Sequence, residues 1–521
     1  MALFLGISFY GLDFGYHWDE TAAKFDSVRD TLATGLFIQG SAGAWDGVHY
    51  NYGGVNYLLT WAGFTPQIWR FITHGHQSRA KLSEIITPLV YTMPIRLRVR
   101  AIYLIICSLS ILWLFLLNDI LGRSRLESFL AAAILAASWE VQYHSRWIAP
   151  DEVMMQFALL SFLLLAVGWS SKKFYWFYLG AISVGLTIGT KYTGGLVLPF
   201  FLLGALSVVW QQSRSAAAVL KKAVALGGST VLTFVLTSPA ILIDPFHFFY
   251  QVKLQKTIYG TGWYGNTVKP GFPHFLLIVK YFGLQMFSHY WILSLVLGAF
   301  CLVGFASIMI GKPRMIGLML TGFVLAYLAY FSLQAAMIVR NLLVVVPVLC
   351  MATARGITLI GERLDSKSPK LKVGLYAGIA ILLSINVGWE LYAARQIKRR
   401  QDFNYFVTKF EDYARNSPQD TYLVSAKLLL EIQGIRSAAI PGNIITDTGK
   451  PYTKVAFLQS EGPEKLWPTW PSNWWGEYET TFGALEVNLD AYPTFMGNQR
   501  ILLSTADHFR KLPLKLEDIA H

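Results

Sequence analysis

The chain has 521 residues, of which 54% are hydrophobic and only 14% charged. That balance excludes an ordinary soluble globular protein and points to many membrane crossings. The net charge of +13 is carried in short clusters between apolar segments, so it speaks for membrane topology and contact with anionic lipid rather than for nucleic acid.

With ~20 apolar residues per crossing, the sequence predicts about eleven spanning helices, at 1–16, 99–118, 128–144, 152–169, 174–190, 193–210, 222–242, 289–310, 314–333, 341–360 and 373–394. The first of them lacks a basic start and a small-residue cleavage site, so it does not read as a cleavable signal peptide. It is short for a span, which leaves room for a start further upstream. A long outer loop, 17–98, follows it, and a second outer loop, 243–288, carries the turn signals Gly260-Thr261-Gly262 and Lys269-Pro270-Gly271. Beyond the membrane module 1–394, residues 395–521 turn polar and read as a small mixed α/β domain outside the membrane, on the non-cytoplasmic side. The expected fold class is therefore an all-α polytopic membrane protein with a small mixed α/β C-terminal extramembrane domain. Cys107, Cys301 and Cys350 all fall inside apolar stretches, which speaks against a disulfide framework or a cysteine metal site.

Charge sorts the loops. Arg123 with Arg125, Lys172 with Lys173, Arg214 with Lys221 and Lys222, Lys312 with Arg314, and Lys367 with Lys370 and Lys372 share one side by span parity. Short basic loops mark the cytoplasm. Asp19, Asp151, Lys191, Asp244 and Arg340 fall on the other side. The cluster Arg395, Lys398, Arg399 and Arg400 runs against this assignment.

Those non-cytoplasmic charges are the candidate site, because an ionised group at a membrane boundary is costly to desolvate. Asp19 and Glu20 close the first span in His17-Trp18-Asp19-Glu20. A carboxylate there can act as a general base, with its neighbour in support or on a metal. The plainer reading is a helix cap or a solvated turn. Asp151 and Glu152 follow Pro150, which fits a helix start with acids at the positive end of the dipole. Arg146 is near enough for an ion pair, and His144 reads as structural more readily than as a ligand.

Lys191 and Tyr192 lie in Gly189-Thr190-Lys191-Tyr192-Thr193-Gly194-Gly195, where a lysine amid hydroxyls suits an anion such as a lipid phosphate. Arg340 opens a later span, and its planar donor fork suits the same ligand. For both, simple anchoring at the headgroups is the alternative. Trp467, Trp470, Trp474 and Trp475 could stack on a sugar, lie at the bilayer surface or pack within the small domain.

Taken together, these motifs resemble the GT-C superfamily of polyprenyl-phosphate-sugar-dependent glycosyltransferases, in the branch of the protein O-mannosyltransferases and the lipid A aminoarabinose transferase. The His-Trp-Asp-Glu end of the first span looks like that family's first-loop acidic motif. Ser145-Arg146-Trp147-Ile148-Ala149-Pro150-Asp151 resembles its Ser-Arg-aromatic-x-x-x-Asp, and the stretch from Arg340 to Pro347 its late Arg-Tyr-Leu-Leu-Pro-like element. The segment His49 to Leu59 is similar to a further loop motif but lacks its prolines, so no role is carried onto it. The resemblance covers roughly 1–360 and implies an inverting transfer from a polyprenyl-phosphate sugar to a lipid, glycan or protein acceptor, with Asp19 as base.

The chemistry is consistent with that. An attacking hydroxyl or amine must shed a proton, and a departing phosphate gains charge that Lys191, Arg340 and either Arg98 or Arg100 could meet. Asp19, Glu20 and Asp151 could share Mg²⁺ or Mn²⁺. The long first loop is expected to cover the site. The implied setting is the bacterial inner membrane, with the site on the periplasmic face. A transporter or flippase for lipid-linked sugars, and a glycan ligase or polymerase, remain the alternatives. The first usually shows repeated halves, which this sequence lacks.

Overall fold

A computed structural model describes residues 1–13, 20, 25, 28, 52–73, 79–90, 92–262, 267–311, 314–399, 410, 412–424, 441–445, 449–460, 493–494 and 497–510. Asp19, the His49–Asn51 part of the loop motif and the tryptophans from 467 to 475 lie outside them. The chain divides into two compact units, Met1–Leu12 with His17–Leu391, and Asp13–Tyr16 with Tyr392–His521.

In the first unit the helices are α1 (Ala2–Phe9), α2 (Val55–Ala62), α3 (Thr65–Thr73), α4 (Arg79–Ile86), α5 (Met93–Ile120), α6 (Arg125–Ala136), α7 (Trp139–His144), α8 (Pro150–Ser171) and α9 (Tyr175–Thr190). They continue with α10 (Val197–Ser213), α11 (Ala216–Thr237), α12 (Ala240–Ile243), α13 (Pro245–Thr261), α14 (Phe272–Leu284), α15 (Trp291–Ile310), α16 (Arg314–Ser332), α17 (Val346–Asp365) and α18 (Pro369–Arg399). Among the described residues, eight helices are long and apolar enough to cross a membrane. The protein is an integral membrane protein, and the expected all-helical architecture is borne out. Three of the predicted crossings are shorter helices: α1 has 8 residues, α6 has 12 and α9 has 16. The predicted segment 128–144 is divided because α6 stops at Ala136 and a new helix begins after Ser138.

Local sequence sets these boundaries. Ser124 caps α6 by accepting from the Glu127 amide at 3.1 Å, the capping-box spacing. Pro150 begins α8 with φ already set for a helix. Lys172 and Arg214 end α8 and α10 in the left-handed region, at φ 57 and 50. Close helix packing relies on missing side chains. A Cβ on Gly304 would overlap the Ala352 carbonyl, and one on Gly356 the Phe300 carbonyl, so α15 and α17 meet backbone to backbone, as small residues allow in a membrane.

Both long loops, 17–98 and 243–288, are largely helical where described. The first folds as α2 to α4. Trp61, Phe64, Val99, Tyr103 and Ile148 form one buried cluster, which fastens this loop onto α5 and the approach to α8. Each large apolar side chain so buried contributes about 1.5–3 kcal/mol. The second long loop, 243–288, holds α13 and α14, while α12 falls at the end of the predicted span 222–242. Its turn signals act as expected: Gly262 ends α13 at φ 109 and Gly271 precedes α14 at φ 89.

The second unit contains a five-stranded sheet, β1 (Tyr422–Val424), β2 (Ile444–Ile445), β3 (Lys454–Ser460), β4 (Pro493–Thr494) and β5 (Gly497–Thr505), in the order β2-β1-β3-β5-β4. β1 pairs parallel with β2 and β3, whereas β5 runs antiparallel to β3 and β4. This is the small mixed α/β element read from the sequence.

Candidate active site

Asp151 is the centre. It sits in the first turn of α8, fully buried, where the dipole favours an anion. Lys191 Nζ donates to its Oδ1 at 2.6 Å, and Arg340 Nε lies 3.5 Å from its Oδ2. Three charges read from separate parts of the sequence are thus one cluster. Lys191 reaches it because α9 ends at Thr190 and the backbone turns extended at residue 191, with φ −150 and ψ 131. Arg340 reaches it from a 3-10 helix, Val339–Val345, that leads into α17.

Sequence reasoning missed the polar scaffold around these three. Asn341 Oδ1 accepts from Lys191 Nζ and from the Tyr259 hydroxyl, the latter at 3.3 Å. Tyr327 donates to the Asn341 carbonyl at 2.9 Å. Asn341 adjoins a recognised arginine, so its neighbour was the available signal; nothing in the sequence around Tyr259 marks it.

The stretch left without a role also matters. The Gly53 amide donates to Thr190 O at 3.2 Å, and Asn56 Nδ2 donates to the same carbonyl at 2.7 Å. A Cβ on Gly53 would overlap the Gly189 carbonyl, so only glycine lets the loop approach the turn that carries Lys191. Tyr192 completes this joint, its hydroxyl donating to Tyr52 O at 3.1 Å.

Burial disfavours the Lys191 ammonium, but Asp151 and Tyr259 outweigh that and hold it above the ordinary lysine range. A raised pKa means that the pairing stabilises the fold at neutral pH and is lost only as pH climbs past that range. Glu152, the next residue, is buried beside the same two cations. Arg340 is the more exposed of them, its side chain 13% exposed against 9% for Lys191.

Glu20 and Arg146 are placed differently. Glu20 is fully buried and receives a bidentate pair from Arg100, Nε to Oε1 at 2.7 Å and Nη2 to Oε2 at 2.8 Å. The Ile148 amide adds a bond to Oε1 at 3.2 Å, and Arg96 Nε lies 3.5 Å from Oε2. Arg100 Nη1 also donates to Leu12 O at 2.7 Å. One guanidinium therefore joins the two sides of the segment that contains Asp19. Arg146 donates to Tyr10 O at 2.8 Å and to Ile7 O at 3.0 Å, fastening the end of α1. Burial pushes its pKa down to about 10, against the pull of Glu390. Arg98 donates to Gln67 at 3.1 Å. His144 lies 3.1 Å from Glu140, which accepts from Tyr281 at 2.8 Å, so it belongs to an internal network.

Among the described residues no group of three His, Cys, Asp or Glu could hold a metal ion. Of the three acids considered for one, Glu20 and Asp151 are already neutralised by guanidinium or ammonium groups, and Asp19 lies outside the described residues. A dication would have to displace those cations.

The family model for dolichyl-phosphate-mannose-protein mannosyltransferase matches residues 87–259. Over that segment the chain is similar to the polyprenyl-phosphate-sugar-dependent glycosyltransferases. The likeness read from the motifs is thereby borne out, and the matched segment includes Arg100, Arg146, Asp151, Lys191 and Tyr259. No curated protein matches the chain. Among solved structures, ArnT from Cupriavidus metallidurans bound to undecaprenyl phosphate is similar over 97% of each chain, at 13% identity and a TM-score of 0.49. The oligosaccharyltransferase of Archaeoglobus fulgidus in its apo form is similar over 87% of this chain and 61% of its own, at 11% identity and a TM-score of 0.40.

Proposed function

We propose that this protein transfers a sugar from a polyprenyl-phosphate donor to an acceptor on the non-cytoplasmic face of its membrane, the periplasmic face of a bacterial inner membrane. The observation that carries the proposal is the convergence of Lys191 and Arg340 on buried Asp151. Two cations brought together at one buried acid suit a phosphate whose charge grows as it leaves. The acceptor oxygen or nitrogen forms a bond to the sugar's anomeric carbon while the bond from that carbon to the phosphate oxygen breaks. The acceptor's proton passes to Asp19, and the electron pair leaves with the polyprenyl phosphate. Attack opposite the leaving group inverts the anomeric centre. Glu20, paired with Arg100, anchors the chain beside the base, and Arg146 anchors α1. Tyr192 positions the Lys191 turn. The committed state of Glu20 and Asp151 favours a reaction that needs no divalent ion.

The test is turnover of defined polyprenyl-phosphate sugars by the purified protein in vesicles, with the anomeric configuration of the product read by NMR. Inverted product and released polyprenyl phosphate, undiminished by EDTA, support the proposal. Movement of intact donor across the bilayer with no cleavage would support a flippase instead.

Arg340→Met is expected to weaken binding of polyprenyl phosphate about 10- to 150-fold, the loss of one charge-assisted contact of about 1.5–3 kcal/mol. Lys191→Met alone would remove the 2.6 Å partner of buried Asp151, so it is compared as the pair Asp151→Asn with Lys191→Met. Unchanged titrations in both backgrounds would make these residues topological anchors.

A further inference from the structure

Directly after α11, the chain exposes apolar side chains that no crossing helix accounts for. Leu242 is 71% exposed, Phe246 86%, Phe249 58% and Tyr250 60%. They follow a helical period along α12 and the first turns of α13. The opposite side of α13 is packed: Phe248 is buried against Tyr192 and Phe234. Phe246 and Phe249 in water would be an unfavourable surface.

The outward strip continues from α11, where Leu236 is 70% exposed at the non-cytoplasmic end of a helix long and apolar enough to span. It is interrupted at Ser238-Pro239 and at Asp244, whose carboxylate lies 2.9 Å from His247. After the aromatic strip come Lys253 and Lys256, both exposed, and α13 contains no acidic residue. Aromatic and aliphatic side chains on one face followed by lysines is the pattern of a helix lying in a bilayer interface, with rings at the acyl boundary and ammonium groups among the phosphates.

The far end of α13 is fixed in the site. Tyr259 O accepts from the Ala335 and Ala336 amides, at 2.8 and 3.1 Å, and its hydroxyl donates to Asn341, the partner of Lys191. We infer that α12 and α13 form an in-plane membrane element, seated in the outer leaflet through Leu242, Phe246, Phe249 and Tyr250 and held by anionic headgroups at Lys253 and Lys256, which ties the bilayer surface to the Lys191 cluster. The inference stands on exposure and charge, and it does not require the proposed transfer reaction.

Nitroxide labels on Phe246→Cys, Phe249→Cys and Lys256→Cys test it in vesicles of phosphatidylethanolamine and phosphatidylglycerol. The native cysteines are buried and stay in place. Collision with oxygen, which partitions into lipid, is compared with collision with a water-soluble nickel chelate. Labels at 246 and 249 are expected to meet oxygen more often than the chelate, and the label at 256 the reverse. All three sites lie at exposed positions, so folding is retained. Equal chelate access at 246, 249 and 256 would overturn the inference, since the strip would then face water. Low access to both quenchers at 246 and 249 would also overturn it, because a second copy or another protein would then cover the strip. Neither result depends on whether sugar transfer is detected.

Discussion

Asp19→Asn is expected to lower sugar transfer about 10²–10⁴-fold, the contribution of a positioned general base. The amide keeps the shape of the side chain but cannot take the acceptor's proton. Binding of polyprenyl phosphate is expected to stay at the wild-type level, because Lys191 and Arg340 are untouched. Thermal unfolding should be equally unmoved: the adjacent Glu20 retains Arg100 and the Ile148 amide. The measurement is single-turnover transfer in vesicles beside a donor titration of the same preparation. Near-wild-type transfer by Asp19→Asn would reject this residue as the base, while leaving the phosphate cluster standing on its own test.

How much of this site was legible in the sequence depended on what each residue does. Asp151, Lys191 and Arg340 could be found because a charge at a membrane mouth is conspicuous in an apolar chain. Span parity put them on one side, and the structure joins them within hydrogen-bond or ion-pair reach. Their partners were less visible. Asn341 and Tyr259 carry no charge, and their importance comes from which helix end they meet. Gly53 was legible only as part of a motif with missing prolines, whereas its role is a close backbone approach to residues 189 and 190. The sequence also could not tell a spent charge from an available one. Glu20 and Arg146 stand beside the motifs that define the site, yet their hydrogen bonds go to the chain itself. Hydropathy located the long crossings but not the short helices α2, α3 and α13 of the two long loops, which are only 8 to 17 residues each.

Breaking the buried pair of Arg100 and Glu20 should cost more stability than any other single change at this site. A lone buried charge costs about 3–5 kcal/mol when its partner is removed. Glu20→Gln removes the carboxylate charge that Arg100 meets through two hydrogen bonds and keeps only one acceptor oxygen, so a loss at the upper end is expected. Arg100→Met leaves Glu20 with the Ile148 amide and with Arg96 at 3.5 Å, so its loss falls at the lower end. The double variant removes both charges and is expected to regain part of the unfolding temperature, because apolar replacement of a buried pair is often neutral. Transfer should not return with it. The guanidinium holds Leu12 and Glu20 together across the segment that carries Asp19, and a methionine offers no donors to rebuild that tie. Unfolding temperature and transfer rate, measured on the two single variants and the double, therefore separate. Recovery of both in the double would show that the pair only neutralises a buried charge and does not position the base. Unfolding temperatures equal to wild type in both single variants would show that the pair is not buried as described.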